Sequence, residues 1–431
     1  MDKDKPTIVL MGTCDTKWEE LCFTQSQLLS HNTCAVLLMD IGRTPSPHAS
    51  IAIKHPELTS PAKTSDLPRA EYIHQMTTHA ITTLTTLHRT RSIHAVLAIG
   101  GSCGTALATA AMRAALPVGF PKLMVSTMAS GDVSPYVQET DLTLMYSVVD
   151  VAGSNRILNR ILANAAAAVI GMAVSFAQSM QAPCNNSNSN TKTRIAVTMF
   201  GVTTPAVNTI RDRLQQNLGP NCEIYIFHAT GAGGKAMERL IREGQLDAVV
   251  DLTTTEIADE IVGGVLSAGP ARLVAAAQAG LPQIISVGAC DMVNFGPVDT
   301  VPPRFCGKHS HRWLFEHNPT VTLMRTTAEE CERIARFMAE KLKAHVVRPE
   351  RVRVILPAAG ISMLDTPGQP FHDPEADEAL FSTLENKLDG TGIAVLRDSR
   401  EINDPEFAIS VADSLVDLLR SSSDLRMVHT G

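Results

Sequence analysis

"HAVLAIGGSCGTALATA", His94 to Ala110, passes from a short apolar run through two glycines, a serine, a cysteine and a third glycine into an alanine-rich pattern. A short unbroken apolar run that ends at glycine and gives way to helical periodicity is a strand handing over to a helix, and a strand without polar alternation is covered on both faces. The stretch therefore predicts a parallel sheet between two layers of helices.

The same rhythm extends in both directions. Upstream and downstream of it, "TIVLMG" (Thr7–Gly12), "CAVLLMDIG" (Cys34–Gly42) and "KLMVST" (Lys122–Thr127) read as strands, with helices over 17–30, 71–88 and 105–115. A polar tract, "QAPCNNSNSNTKT" (Gln181–Thr193), then interrupts the pattern and reads as a linker. Beyond it the rhythm restarts with "RIAVTMFG", "EIYIFHATG", "DAVVDL", "QIISVGA", "VTLMRTT", "VRVILPAAG" and "IAVLRDS". The expected architecture is α/β: two tandem doubly wound Rossmann-like domains with mainly parallel sheets, over 1–180 and 194–431, joined by 181–193.

Composition narrows the function classes. The chain has 431 residues, 44% hydrophobic and 19% charged, which fits globular domains rather than a disordered chain. Its net charge of −7 and the lack of clustered Lys and Arg argue against a nucleic-acid surface. Nine cysteines without paired metal-type spacing fit reduced thiols in a cytoplasmic protein. The helix "RILANAAAAVIGMAV" (Arg160–Val174) reads as core or as a homodimer contact, since Arg156, Asn159, Arg160 and Asn164, in or beside it, argue against a membrane span.

In a doubly wound sheet, ligands bind beyond the carboxyl ends of the strands, so polar residues and glycines there carry the functional reading. At the opening stretch Gly100, Gly101 and Gly104 permit a tight turn, while Ser102, Thr105 and the first amides of the next helix suit an anion. The first strand ends in Gly12 and Thr13, followed by Asp15, Thr16 and Lys17; the cation suits a phosphate, and the carboxylate suits a helix cap or a water-bridged metal. The second ends in Asp40 and Gly42, where such folds place a carboxylate against a ribose hydroxyl. Ser130, Gly131 and Asp132 close a further strand. Each alone serves equally as a cap or turn; four on one sheet edge point to a nucleotide crevice.

The longer motifs carry a resemblance. "GTCDTK", "IGGSCGT", "STMASGD" and "DVAGSNRIL" in the first half, and "FHATGAGGKAME", "DLTTTEIADE", "GACDMVNFGP", "HNPTVTLMRTTAEE" and "GISMLDTPGQPFHDPEADEALF" in the second, are similar to the Tm-1-like ATP-binding family across nearly the whole chain. The resemblance implies ATP as the ligand, with Mg²⁺ carried on its phosphates, and a protein partner, since in the plant member the matching region binds a viral replication protein. It implies no established reaction.

The second half repeats the glycine device. In "IFHATGAGGKAME" a strand leads to His228 and Thr230, then to Gly231, Gly233 and Gly234, with a helix expected near Lys235. This predicts a second anion site for a small metabolite, joined by Asp251, Asp291 and Asn294 from neighbouring strand ends; a ligand-free tight turn is the competing reading. Thr254 and Thr255 read as helix caps, Asp373 as the cap of a helix starting at Pro374, and Cys290 as a buried thiol rather than a nucleophile. No HExxH, CxxC or EF-hand signature is present.

Overall fold

The computed structural model describes residues 5–30, 32–59, 63–181, 192–306 and 312–428. The chain forms two compact units, Met1–Asn185 and Asn186–Gly431. Most of the expected linker, 182–191, lies outside the described residues.

The first unit runs β1 (Thr7–Gly12), α1 (Trp18–Ser30), β2 (Ala35–Asp40), β3 (Ile51–Ile53), α2 (Arg69–Arg89), β4 (Ala95–Gly100), α3 (Ser102–Ala115), β5 (Lys122–Ser126), α4 (Ser134–Val137), β6 (Thr143–Tyr146) and α5 (Arg156–Gln181). Its sheet has the order β3-β2-β1-β4-β5-β6, and every pairing is parallel. The two-residue period of the strands divides its core. Ile8, Leu10, Leu97, Ile99 and Val125 face α1 and α5, while Val9, Met11, Val96, Ala98 and Met124 face α2 and α3. The central strands β1 and β4 are buried at every residue, which is why they read as unbroken apolar runs. Helix α5 is the one helix among the described residues long and apolar enough to cross a membrane; its Leu158, Leu162, Ala165, Val169 and Ala173 are buried in the sheet core.

The second unit runs β7 (Thr193–Met199), α6 (Thr204–Leu218), β8 (Cys222–His228), α7 (Ala232–Arg242), β9 (Ala248–Thr253), α8 (Thr255–Val262), α9 (Ala275–Ala279), β10 (Gln283–Gly288), β11 (Met292–Phe295), α10 (Pro303–Cys306), β12 (Leu314–Asn318), β13 (Val321–Arg325), α11 (Ala328–His345), β14 (Val352–Pro357), α12 (Pro374–Leu388), β15 (Ala394–Asp398) and α13 (Pro405–Val428). A six-stranded sheet of order β15-β14-β10-β9-β7-β8 forms its centre, again parallel throughout. "VTLMRTT" departs from the expected series. It forms β13, the middle strand of a separate antiparallel sheet, β11-β13-β12. The two residues Pro319 and Thr320 close the β12–β13 hairpin, with Asn318 Oδ1 accepting from the Thr320 amide and hydroxyl. A two-residue connection can join only antiparallel neighbours, so this apolar run was never free to enter the parallel sheet beside its predecessor.

Candidate functional site

In the first unit the chain leaves β1 toward β2 and β3 on one side and later fills β4, β5 and β6 on the other. The sheet therefore reverses direction between β1 and β4, the point at which such sheets open a crevice. Register sets Gly12 opposite Asp40 and Gly100 opposite Ser126, so the four polar strand ends singled out from sequence stand side by side on one edge.

Their chemistry divides into framework and open surface. Asp40 is fully buried; its Oδ1 accepts from the amides of Cys14 (3.2 Å) and Gly42 (2.9 Å), and Oδ2 from Ser46 (3.1 Å). Expected to face a ribose, it instead fixes the loop after β2, because three backbone donors already claim its oxygens. Asp15 Oδ2 accepts from the amides of Arg43 (2.9 Å) and Thr44 (3.1 Å), tying the loops after β1 and β2 together. A Cβ on Gly42 would stand 2.6 Å from Asp15 Oδ1, and one on Gly12 2.7 Å from Leu21, so these two glycines serve packing. Thr13 folds the turn before α1, its carbonyl accepting from the Thr16 and Lys17 amides (3.0 and 2.8 Å).

The open surface lies at α3. Gly101, extended at φ −81° and ψ −160°, is its N-cap and supplies no side-chain acceptor. A Cβ there would meet only Thr127 Oγ1, at 3.9 Å, and one on Gly131 would meet nothing within 4 Å. Gly100 packs on Gly104, where a Cβ would lie 3.1 Å from the facing Cα. Thr105 is buried and bonded to Ser126 Oγ (2.6 Å), which locks α3 to β5. Ser102 and Ser130 are exposed, and Asp132 accepts from the Ser134 amide (2.9 Å); the Ser134 hydroxyl and then its amide hold the Asp132 carboxyl below the usual range.

Two further features of this edge had no signal in the sequence. The Arg69 guanidinium donates to Cys103 Sγ in the first turn of α3, through Nε (3.1 Å) and Nη2 (2.6 Å). Past the ends of β5 and β6, where Tyr146 pairs with Ser126, Met128, Tyr146 and Val148 are 37%, 41% and 58% exposed, an apolar margin to a polar edge. Val148 has φ +64° within a tight turn closed by the Val149 amide on the Ser147 carbonyl (2.7 Å). Left-handed backbone at a β-branched residue is strained, and such strain concentrates at functional edges.

The second glycine turn is filled from within. The amides of Gly231 (2.7 Å) and Gly234 (3.0 Å) both donate to Glu256 Oε1. Glu256 Oε2 accepts from Arg272 Nε (2.8 Å), and Arg272 forks onto Asp251 (2.7 and 2.8 Å), whose Oδ1 also accepts from Thr198 Oγ1 (2.9 Å). Arg272, Glu256 and Asp251 are buried together. Burial opposes the Arg272 charge, and the carboxylates of Asp251, Glu256 and Glu238 outweigh it, holding the guanidinium well above its ordinary range. The glycines are packing requirements. A Cβ on Gly233 would lie 1.9 Å from the His228 carbonyl oxygen, one on Gly234 2.0 Å from Glu256, and Gly231 has φ +87°. Helix α7 begins at Ala232, three residues before the expected start at Lys235.

The remaining residues of that expected site are dispersed. His228 is exposed against the Phe200 ring (5.6 Å), and Thr230 Oγ1 donates to the His228 carbonyl (3.3 Å). Asn294 donates through its amide and Nδ2 to Asp259 Oδ1 (2.8 and 3.2 Å) and not to the turn. Asp291 accepts from Ser362 Oγ (2.7 Å), and its Oδ1 is buried without a donor. Burial, opposed by Arg325, pushes its carboxyl up to about 6. Arg325 in turn donates to Asp377 (2.7 Å) and Asp365 (3.4 Å); burial and then the charges of Asp291 and Asp377 push Asp365 up to about 10. Thr254 stands at the N-cap of α8 without a capping bond, its hydroxyl donating to the Ser286 carbonyl instead (2.9 Å), whereas Asp373 does cap α12, accepting from Ala376 (3.1 Å). Cys290 is buried, and burial pushes its thiol far up. A cavity of about 720 Å³ opens beside this cluster, with Trp313, Arg325, Thr326, Phe371 and His372 in its wall.

Comparison with known proteins follows this division into two units. The models of two domains described as the N-terminal and C-terminal domains of an uncharacterised protein family, UPF0261, match residues 6–178 and 192–419. A UPF0261 protein of Clostridium tetani is 41% identical over 418 residues, which are 96% of this chain and 98% of that one. The ToMV resistance protein Tm-1(GCR237) of Solanum lycopersicum is 43% identical over 331 residues, 76% of this chain and 42% of that protein. The ToMV susceptible protein tm-1(GCR26) of the same plant is 37% identical over 442 residues, 96% and 56% of the two chains. The match thus spans about half the length of the tomato proteins. Among solved structures, Acinetobacter baumannii MurG aligns with 65% of this chain and 79% of its own at 13% identity and a TM-score of 0.21, too weak to carry an argument. The identities and the paired domain matches together place the chain in the UPF0261 family, of which it carries both domains.

Proposed function

We propose that the first unit binds ATP at the edge where β1 and β4 diverge, with the phosphates at the α3 N-terminus and the base against Met128, Tyr146 and Val148. The observation that carries this reading is the uncapped start of α3. A fourteen-residue helix begins there at a glycine with no side-chain cap, at the point where the sheet reverses direction, with room above it. Helix N-termini leave amide donors unpaired and carry partial positive charge, which a phosphate satisfies. Lys17 and Ser102 border the same edge, and the apolar margin suits a planar base better than bare phosphate would require.

Mg²⁺ would arrive on the phosphates. Asp15 fits such an ion in one respect, since its Oδ1 is buried without a donor, but no group of three His, Cys, Asp or Glu able to hold a metal stands among the described residues. The chain's own contribution is therefore binding and orientation of the phosphates by amides, Ser102 and Lys17.

The second reading, that ATP orders a surface for a protein partner without turnover, is favoured by the second unit. Its glycine turn, expected to receive an anionic metabolite, has its amides claimed by Glu256. The tomato relatives, a ToMV resistance protein and a ToMV susceptible protein, fit a protein that acts by contact. Calorimetric titration of the full chain with ATP tests the binding. Gly101→Val should weaken it at least about tenfold, and unchanged affinity in the folded variant overturns the assignment. Phosphate release over hours, with and without a metabolite mixture, separates enzyme from interaction protein.

A further inference from the structure

The second sheet also reverses direction, here between β7 and β9, the point at which doubly wound sheets open a crevice. In this unit the chain itself covers that point. Residues 358–373, between β14 and α12, form no helix or strand. The Ala289 amide, just after β10, donates to the Ile361 carbonyl (2.9 Å), and the Met363 amide donates to the Val202 carbonyl, just after β7 (3.1 Å). Because β9 lies between β10 and β7, the segment crosses the end of β9, where Thr253, Thr254 and Thr255 are all fully buried. Connections longer than about 12–15 residues without regular structure are uncommon, and lids are prominent among them.

What fastens this strap is a buried acid cluster gathered on one cation. Ser362 Oγ donates to Asp291 Oδ2 (2.7 Å), and the amides of Ile361 and Asp373 donate to Asp365 (3.0 and 3.4 Å). Arg325 of β13 donates to Asp377 of α12 (2.7 Å), to Asp365 (3.4 Å) and to the carbonyls of Phe371 and Asp373 (2.7 and 3.2 Å). Three carboxyls thus crowd one guanidinium out of water, and Asp291, fully buried, has an Oδ1 without a donor. The other titratable groups nearby do not offset this charge. Cys290 and Cys331 are thiols that burial pushes up, Asp373 is a further carboxyl, and exposed His372 places Nδ1 on the Asp365 backbone carbonyl (3.1 Å).

We infer that residues 360–373 form a strap that closes the second crevice and lets go when the aspartate cluster beneath it loses a proton. An ionised carboxyl that is buried and short of donors is disfavoured, and departure of the strap admits water to it. Asp365, pushed up to about 10, holds its proton at neutral pH; Asp291, pushed up to about 6, is the group that loses one as neutrality is approached. Carboxyls raised in this way favour the closed strap when protonated. Their contribution is full below about pH 4 and is lost as pH rises through about 6 for Asp291 and about 10 for Asp365. Gly360 and Gly368, at φ +135° and +85°, flank the tied residues 361–365 with backbone that other residues rarely adopt.

Hydrogen exchange of the full chain between about pH 5 and pH 8 tests this, with each rate divided by the intrinsic rate at its pH. Peptides covering 358–373 report the strap, and peptides covering β9 report opening of the whole unit. Protection of the strap should fall at least about tenfold more than that of β9 across this range. Asp291→Asn keeps an acceptor for Ser362 and cannot ionise, so its strap should stay protected at pH 8 and its profile should be flat. Ser362→Ala gives a second reading that does not disturb the acids. It should lower strap protection severalfold at pH 5, leave β9 unchanged and reduce the pH slope. A strap that follows β9 at every pH overturns the inference, as does a full slope in Asp291→Asn or a Ser362→Ala profile identical to the wild type.

Discussion

The two glycine turns, Gly100–Gly104 and Gly231–Gly234, share one local design, but a side chain fills only the second. Each ends a parallel strand and opens a helix. At the first, the helix begins at an uncapped glycine with free space above it. At the second, Glu256 reaches from the next helix to take two of the amides, backed by a buried arginine. A glycine turn before a helix thus presents amide donors in both units. What differs is whether the chain supplies an acceptor itself, and at the second turn it comes from a residue 22 to 25 positions away.

Breaking the internal anion should have the largest effect. Glu256→Ala leaves Arg272 Nε and two amides buried without their acceptor, and the second unit should lose about 3–5 kcal/mol in urea unfolding. A loss under about 1 kcal/mol would mean that the ion pair adds little beyond its packing. Gly233→Ala is next, because its new methyl would collide with backbone rather than with a movable side chain. A cost of about 1–3 kcal/mol is expected, and a neutral outcome would show that the turn relaxes.

Gly101→Val reverses that pattern. With only Thr127 Oγ1 near its Cβ, it should cost no more than about 1 kcal/mol in stability; its effect should appear in ATP affinity instead. If stability falls and affinity holds, the first turn is also a packing device and the contrast disappears.

A smaller, pH-dependent difference should mark the second unit. Burial pushes the Asp259 carboxyl up to about 7, against its bonds to Asn294 and Leu266. A carboxyl whose folded value lies above its unfolded one favours the fold when protonated. Its contribution is full below about pH 4 and is lost as pH rises through about 7. Urea midpoints of the wild type should therefore fall across that window, and Asp259→Asn should flatten the slope. An unchanged slope would assign it to another group, Asp291 being the nearest in range.

The fold class was legible because burial on both faces of a parallel strand leaves only one kind of residue there, as Val9–Met11 and Ala95–Ile99 show. The helices at Trp18, Ser102 and Ala232 were legible from the sequence, with starts displaced by one to three residues. The hairpin β12–β13 escaped because a short apolar strand carries no mark of the direction in which it pairs.

The sequence by itself determined where the strand ends fall, that glycines follow them, and hence which edge of each sheet is polar. Only the tertiary structure decided which polar residues face outward. Asp40 ends β2, whereas Asp251, read as a strand-end acid, lies inside β9; both are buried acceptors, one for three amides and the other for an arginine and a threonine. An acid's role depends on the donors that come within about 3 Å of it. Those donors are brought there by residues such as Arg272 and Ser46, whose approach is set by how loops and helices pack and not by any local spacing in the chain.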